Sequence, residues 1–166
     1  MIVHHHGPWL IPRLLAASSP FSKILVSETV NGYGDHQQRL EQIEGPVGAD
    51  NMFKIAEFAK DFIASDDVRE VQIRGHADRV WSHGTQDTAD EDRVSQNRAD
   101  DVWNVLEKAL MSLPGGSQML LKIASGAIGL IVVGVGTRLL LTTKREEGAK
   151  NRRVELQLWA TRSLPV

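Results

Sequence analysis

The chain has 166 residues and no cysteine. That excludes disulfides, thiolate metal sites, cysteine nucleophiles and a lipid-bearing N-terminal cysteine, while leaving the compartment open. Charge of one sign is also lacking. A formal net charge of −2 speaks against a general nucleic-acid binder, which needs a net basic face for the phosphates. Long apolar runs are missing too. The most apolar stretch, "IASGAIGLIVVGVGT" (Ile123 to Thr137), is closed by Lys122 and Arg138 and interrupted by four glycines. Spanning a bilayer takes roughly 20 apolar residues, so this stretch reads as a buried strand and the chain carries no transmembrane segment. No "GxSxG" elbow is present, and no glycine-rich turn runs into a helix to form a nucleotide loop. What remains is an ordinary globular composition, 42% hydrophobic and 24% charged, in a length that suits one domain with a real core.

Residues 1–22 read as a leader or flexible N-terminal segment, in which Pro8, Pro12 and Arg13 interrupt the run a signal peptide needs. "SKILVSE" is a first strand, and Thr29 to Asp50 a long irregular connection. In "DNMFKIAEFAKDFIASDD", Met52, Ile55, Ala56, Ala59, Phe62 and Ile63 share a helical face, with Asp50 or Asn51 as cap. "VREVQIR" alternates as a strand with Val71 and Ile73 on one side. A polar loop from Asp78 to Asp90 precedes the clearest helix, "DEDRVSQNRADDVWNVLEKALMSL". Its stripe is Val94, Arg98, Val102, Val105, Leu106, Ala109 and Leu113, and its first turn is acidic. "SQMLLKIA" adds one or two helical turns. "IGLIVVGVG" is apolar on both faces and is expected to be a central, covered strand. "RVELQLW" alternates cleanly, with Val154, Leu156 and Leu158 inward. The order β-α-β-α-β-β implies an α+β two-layer sandwich, with helices on one face of a mixed four-stranded sheet.

Three places carry chemistry. Gly75, His76 and Asp78 follow directly on a strand, where Gly75 is expected to let the chain turn. Arg98 stands on an apolar helical stripe, so its guanidinium must find an anion or reach water past the core edge. Its pattern alone favours an internal salt bridge, with Asp78 or an acid of its own helix. Arg152 and Arg153 open the last strand, and alternation sends them to opposite faces, one bracing the fold and one facing a cleft.

Taken together, "IRGHAD", "VSQNRADDVWNVL", "VVGVG" and "AKNRRVEL" resemble, in that order, the OmpA C-terminal-like peptidoglycan-binding domain. That family includes peptidoglycan-associated lipoproteins and flagellar stator proteins. The resemblance covers about residues 68–159 within a domain of 23–160, leaving 161–166 as a tail. It implies non-covalent, non-catalytic binding of the diaminopimelate in the peptidoglycan stem peptide, which anchors the protein to the cell wall in the periplasm or at the outer membrane. Asp78 would take the ligand's ammonium and Arg98 its carboxylate, with His76, Val94, Arg152 and Arg153 supporting the cleft. His76 is expected to be a hydrogen-bonded structural residue. No metal and no cofactor are implied; peptidoglycan is the partner, with envelope proteins as further candidates.

The chain departs from the family pattern in a longer loop holding Trp81 and His83, in Glu91 replacing asparagine, and in Leu139 to Leu141 where polar residues are usual. The connection "PGGSQMLLKIASG" is also longer. Two other readings stay open: a protein-docking module on the same fold, with Trp81 and Trp159 on its surface, and a metal-dependent hydrolase using His76, Asp78 and His83.

Overall fold

A computed structural model describes residues 22–161. The expected leader and tail lie outside the described residues, except that Ser22 opens the first strand and Thr161 closes the last. The elements are β1 (Ser22–Val30), α1 (Gly45–Ala64), β2 (Glu70–Gly75), β3 (Trp81–Ser82), β4 (Thr85–Gln86), α2 (Thr88–Ser112), α3 (Gly116–Ala124), β5 (Gly129–Gly134) and β6 (Val154–Thr161). Short 3₁₀ turns stand at Leu40–Gln42 and Arg145–Asn151. The main sheet runs β1-β6-β2-β5, parallel between β2 and β5 and antiparallel elsewhere. Helices pack on one face of it, giving the expected α+β sandwich. No helix among the described residues is long and apolar enough to cross a membrane.

The core forms where the periodicities meet. Val71 and Ile73 of β2 and Val154, Leu156 and Leu158 of β6 face Ile55, Phe58 and Phe62 of α1 and Val102, Leu106 and Leu110 of α2. Helix α1 starts earlier than expected, at Gly45 rather than near Asp50, with Pro46 in its first turn. A proline there sacrifices no helical hydrogen bond. Asn51, the expected cap, is instead buried inside the helix. It donates to Asn31 O at 2.7 Å and accepts from Asn31 N at 3.2 Å, tying β1 to α1.

β5 is not central but an edge strand. It is apolar on both sides because both are covered: Leu130 and Val132 join the helical core, while Ile131, Val133 and Val135 pack with Leu139 on the other side. Gln96 of α2 guards its end, accepting from Gly134 N at 2.9 Å. Edge protection by a helix side chain removes a backbone donor that would otherwise invite another strand.

Gly75 does not serve as a turn. It is the last residue of β2, paired with Gly134 of β5 and Val154 of β6. A Cβ on Gly75 would stand 1.9 Å from Ser95 O, and one on Gly134 would stand 2.3 Å from Gln96 N. The two glycines let α2 lie directly on the sheet and so set the height of Arg98 one turn further on. Gly75→Ala should therefore lose at least about 2 kcal/mol, because the clash is with backbone that cannot rotate away. Gly129→Ala, whose Cβ would make ordinary contacts with the Glu70 side chain at 3.4 Å and Arg69 O at 3.6 Å, should lose far less. Urea unfolding of the two variants makes the comparison.

Candidate functional site

At the end of the sheet where β2 finishes and β6 begins, a cleft of about 760 Å³ opens. Its lining includes Asp35, His36, Asp78, Arg79, Trp81, Thr142, Lys144, Arg145 and Arg152. Asp78 comes off β2 through a short extended run, with His76 N bonded to Arg153 O and Ala77 N to Gly136 O. Its Oδ1 accepts from Asn151 Nδ2 at 3.0 Å, and its Oδ2 lies 3.8 Å from Arg152 Nη1. A carboxylate has about four acceptor positions, so Asp78 keeps capacity for a ligand, and its side chain is 28% exposed.

Asn151 is the residue that sequence reasoning misses. It is buried, and besides Asp78 it holds Thr142 O with its amide and receives Leu141 N and Thr142 N on Oδ1. One side chain thus fixes both the acid and the facing wall of the cleft. A neutral amide beside two arginines carries no charge signal in the sequence.

Arg152 and Arg153 do go to opposite sides. Arg152 lines the cleft, donating from Nε to Tyr33 O at 2.7 Å and pairing Nη1 with Asp35 Oδ1 at 2.8 Å. Its Nη2 has no partner among the described residues. Arg153 is buried away from the cleft, on Glu155 Oε1 at 3.1 Å and Leu139 O at 3.2 Å.

Arg98 is completely buried and does not line the cleft. Nε donates to Gln37 O at 2.8 Å, Nη1 to His76 O at 2.9 Å, and Nη2 to Gly34 O at 3.1 Å and Asp35 O at 3.3 Å. Its guanidinium lies 4.9 Å from the Tyr33 ring centre, at cation–π distance. Among the described residues no carboxylate lies within ion-pair distance of it, although Asp35 and Asp78 act on it from further off. Burial lowers its pKa to about 10, so it remains charged at neutral pH. Burial likewise raises the Tyr33 phenol, helped by Asp101. Arg98 thus clasps the 34–37 segment to the backbone two residues before Asp78. Val94, one turn earlier on α2, is buried beneath it in the helix and does not reach the cleft.

His76 is buried and turned toward Glu155, with Nε2 3.2 Å from Oε2. Nε2 thus faces the Glu155 carboxylate at hydrogen-bonding distance but off a good angle, and Nδ1 has no partner among the described residues. Burial pushes His76 below the ordinary 6.5, and the opposing pull of Glu155 does not restore it. For Glu155, burial acts to raise the pKa, yet His76, Arg74 and Arg153 outweigh it and bring the value from 4.5 to about 2.

The signs follow from linkage. Below about pH 6.5 the unfolded chain takes up a proton that folded His76 refuses, so stability falls as pH falls. The contribution of Glu155 is present above its ordinary 4.5 and is lost as pH drops toward about 2. The thermal midpoint should decline in two stages on acidification, and His76→Gln should abolish the first. A midpoint unchanged between pH 7 and 5 would contradict this assignment.

The long loop after Asp78 is a hairpin, β3–β4, with Trp81 opposite Gln86. Glu91, buried on the first turn of α2, anchors it by accepting from Val80 N at 2.8 Å and Gln86 Nε2 at 3.0 Å. Thr137 Oγ1 donates to the same carboxylate at 2.9 Å. Trp81 is exposed, whereas Trp159 is half-buried with its Nε1 on Gln157. Leu139 covers β5, Leu140 lines the cleft, and Leu141 is exposed. The metal triad of the alternative hydrolase reading does not converge: His76 faces Glu155, Asp78 faces Asn151, and His83 sits at the hairpin tip. Among the described residues no group of three His, Asp or Glu side chains is placed to share a metal ion.

No protein-family model matches the sequence, and no curated protein is significantly similar to it. Solved structures do match. The C-terminal domain of MotB from Helicobacter pylori superposes with a TM-score of 0.55 at 18% identity, over 82% of this chain and 87% of that one. The OmpA-like domain of FopA1 from Francisella tularensis gives 0.52 at 16% identity, over 99% and 93%. The fold is OmpA-like. A putative MotB-like protein from Desulfovibrio vulgaris shares it at 0.50 and 21% identity, over 92% and 85%. At these identities the likeness is one of architecture. The roles of the side chains therefore rest on their own geometry.

Proposed function

We propose that this OmpA-like domain binds peptidoglycan non-covalently and without catalysis, holding the diaminopimelate of the stem peptide in the cleft and so tethering the protein to the cell wall in the periplasm. The observation that supports it best is the pairing of an accessible carboxylate, Asp78, with a guanidinium on the same wall, Arg152, one of whose donors has no partner among the described residues. A zwitterionic ligand end needs one of each. Asp78 receives the ammonium. Arg152 meets the carboxylate, which displaces the exposed Asp35 from a pair worth little in water. A guanidinium fork suits a carboxylate better than an ammonium would.

Arg98 has a different part in this reading from the one the resemblance suggests. It positions rather than touches, joining the 34–37 wall to the strand end that carries Asp78. Titration calorimetry with a free diaminopimelate-containing stem peptide tests the proposal. The intact protein should bind, and Asp78→Ala and Arg152→Ala should each bind far more weakly. Equal binding by all three proteins would overturn it.

A further inference from the structure

We infer that the β3–β4 hairpin adds a sugar platform to the cleft, the indole of Trp81 taking the ring face of an amino sugar of the glycan strand while Asp78 and Arg152 hold the stem peptide attached to it. The inference rests on the reading of the cleft as a peptidoglycan site.

Trp81 is 62% exposed and lines the same cleft as Asp78, three residues before it in the chain. A lone exposed aromatic needs no explanation, but this one is held in place at some cost. An isolated two-stranded hairpin is marginal in water. Here His83 and Gly84, at φ 51° and 80°, make a left-handed two-residue connection of the kind that closes tight hairpins. Asp87 N closes the base on Val80 O at 2.8 Å. The remaining restraint is Glu91, a carboxylate 1% exposed, on which Arg138 acts only from beyond ion-pair distance. Burying an anion without a cation is unfavourable unless hydrogen bonds compensate. All of those it makes to side chains and loop backbone go to Val80, Gln86 and Thr137. The fold therefore spends a buried charge on fixing a six-residue hairpin whose projecting group is an indole. An aromatic already fixed loses little conformational entropy when a ligand stacks on it.

The cleft's shape and lining select the ligand class. Pockets for drug-sized ligands run about 300–1,000 Å³, and 760 Å³ falls well within that range, with room beyond one amino acid. Its walls are mixed: Val80, Trp81 and Leu140 are apolar, and Thr142, Thr143, His36 and Lys144 are among the polar and charged groups. An aliphatic tail would leave those groups unpaired. A pyranose presents an apolar face to an indole and hydroxyl or acetamido edges to such walls.

The test compares two soluble ligands by titration calorimetry: a disaccharide–stem muropeptide and the same stem peptide without sugar. The intact protein should bind the muropeptide about tenfold more tightly. Trp81→Ala should bind both ligands equally, at the affinity of the sugar-free stem, and Trp81→Phe should recover part of the difference. A thermal melt confirms that the variants fold. If the intact protein binds both ligands equally, or if Trp81→Ala weakens both alike, the platform falls while the stem-peptide site survives. If the intact protein binds neither, both readings fall.

Discussion

Arg98→Ala is expected to lose about 3–5 kcal/mol of unfolding free energy, by the measure of buried charged groups whose partners are left stranded. The side chain is wholly buried and its donors serve four backbone carbonyls, of Gly34, Asp35, Gln37 and His76. Three of these belong to a segment with little regular structure of its own. Truncation leaves carbonyls without donors in a space that water enters poorly and removes the cation from the Tyr33 face. Arg98→Lys should lie between, since one ammonium cannot reach three directions at once. Urea unfolding measures the loss, and proteolysis should cut first within residues 33–38. An Arg98→Ala protein as stable as the parent but unable to bind would return Arg98 to direct contact with ligand.

The second large effect concerns affinity. A charge-assisted hydrogen bond is worth about 1.5–3 kcal/mol, so losing the Asp78 carboxylate should weaken stem-peptide binding by roughly ten- to a hundredfold. Stability should change much less. Asp78 is partly exposed, and its removal frees only one of the contacts of Asn151, which keeps Thr142 O and the two amides at Leu141 and Thr142. That separation between folding and binding distinguishes Asp78 from Arg98, although the resemblance assigns both to the same ligand.

Much of the architecture was legible because alternation in β2 and β6 and the stripe on α2 report burial directly. The limits are equally physical. "IGLIVVGVG" is apolar on both faces, and periodicity cannot distinguish a strand between two neighbours from an edge strand capped by Gln96 and covered by Leu139. Gly75 reads as a turn because glycine favours turns; the reason for it here is a helix carbonyl 20 residues later in the chain. Around the cleft, charge made Asp78, Arg98 and Arg152 visible. It did not tell that Arg98 would be sealed beneath the 34–37 segment, nor that neutral Asn151, 73 residues from Asp78, would hold the acid in place. Such contacts are made by folding and leave no local pattern. The polar loop gave no strand signal because β3 and β4 are two residues each, below the length at which alternation can be read.

The most direct test of the cell-wall reading is co-sedimentation with purified insoluble peptidoglycan that contains diaminopimelate, comparing the intact protein with Asp78→Ala at matched fold stability. The account predicts that the intact protein pellets with the wall and the variant stays in the supernatant. An intact protein that stays in solution, or a variant that pellets equally well, would contradict it.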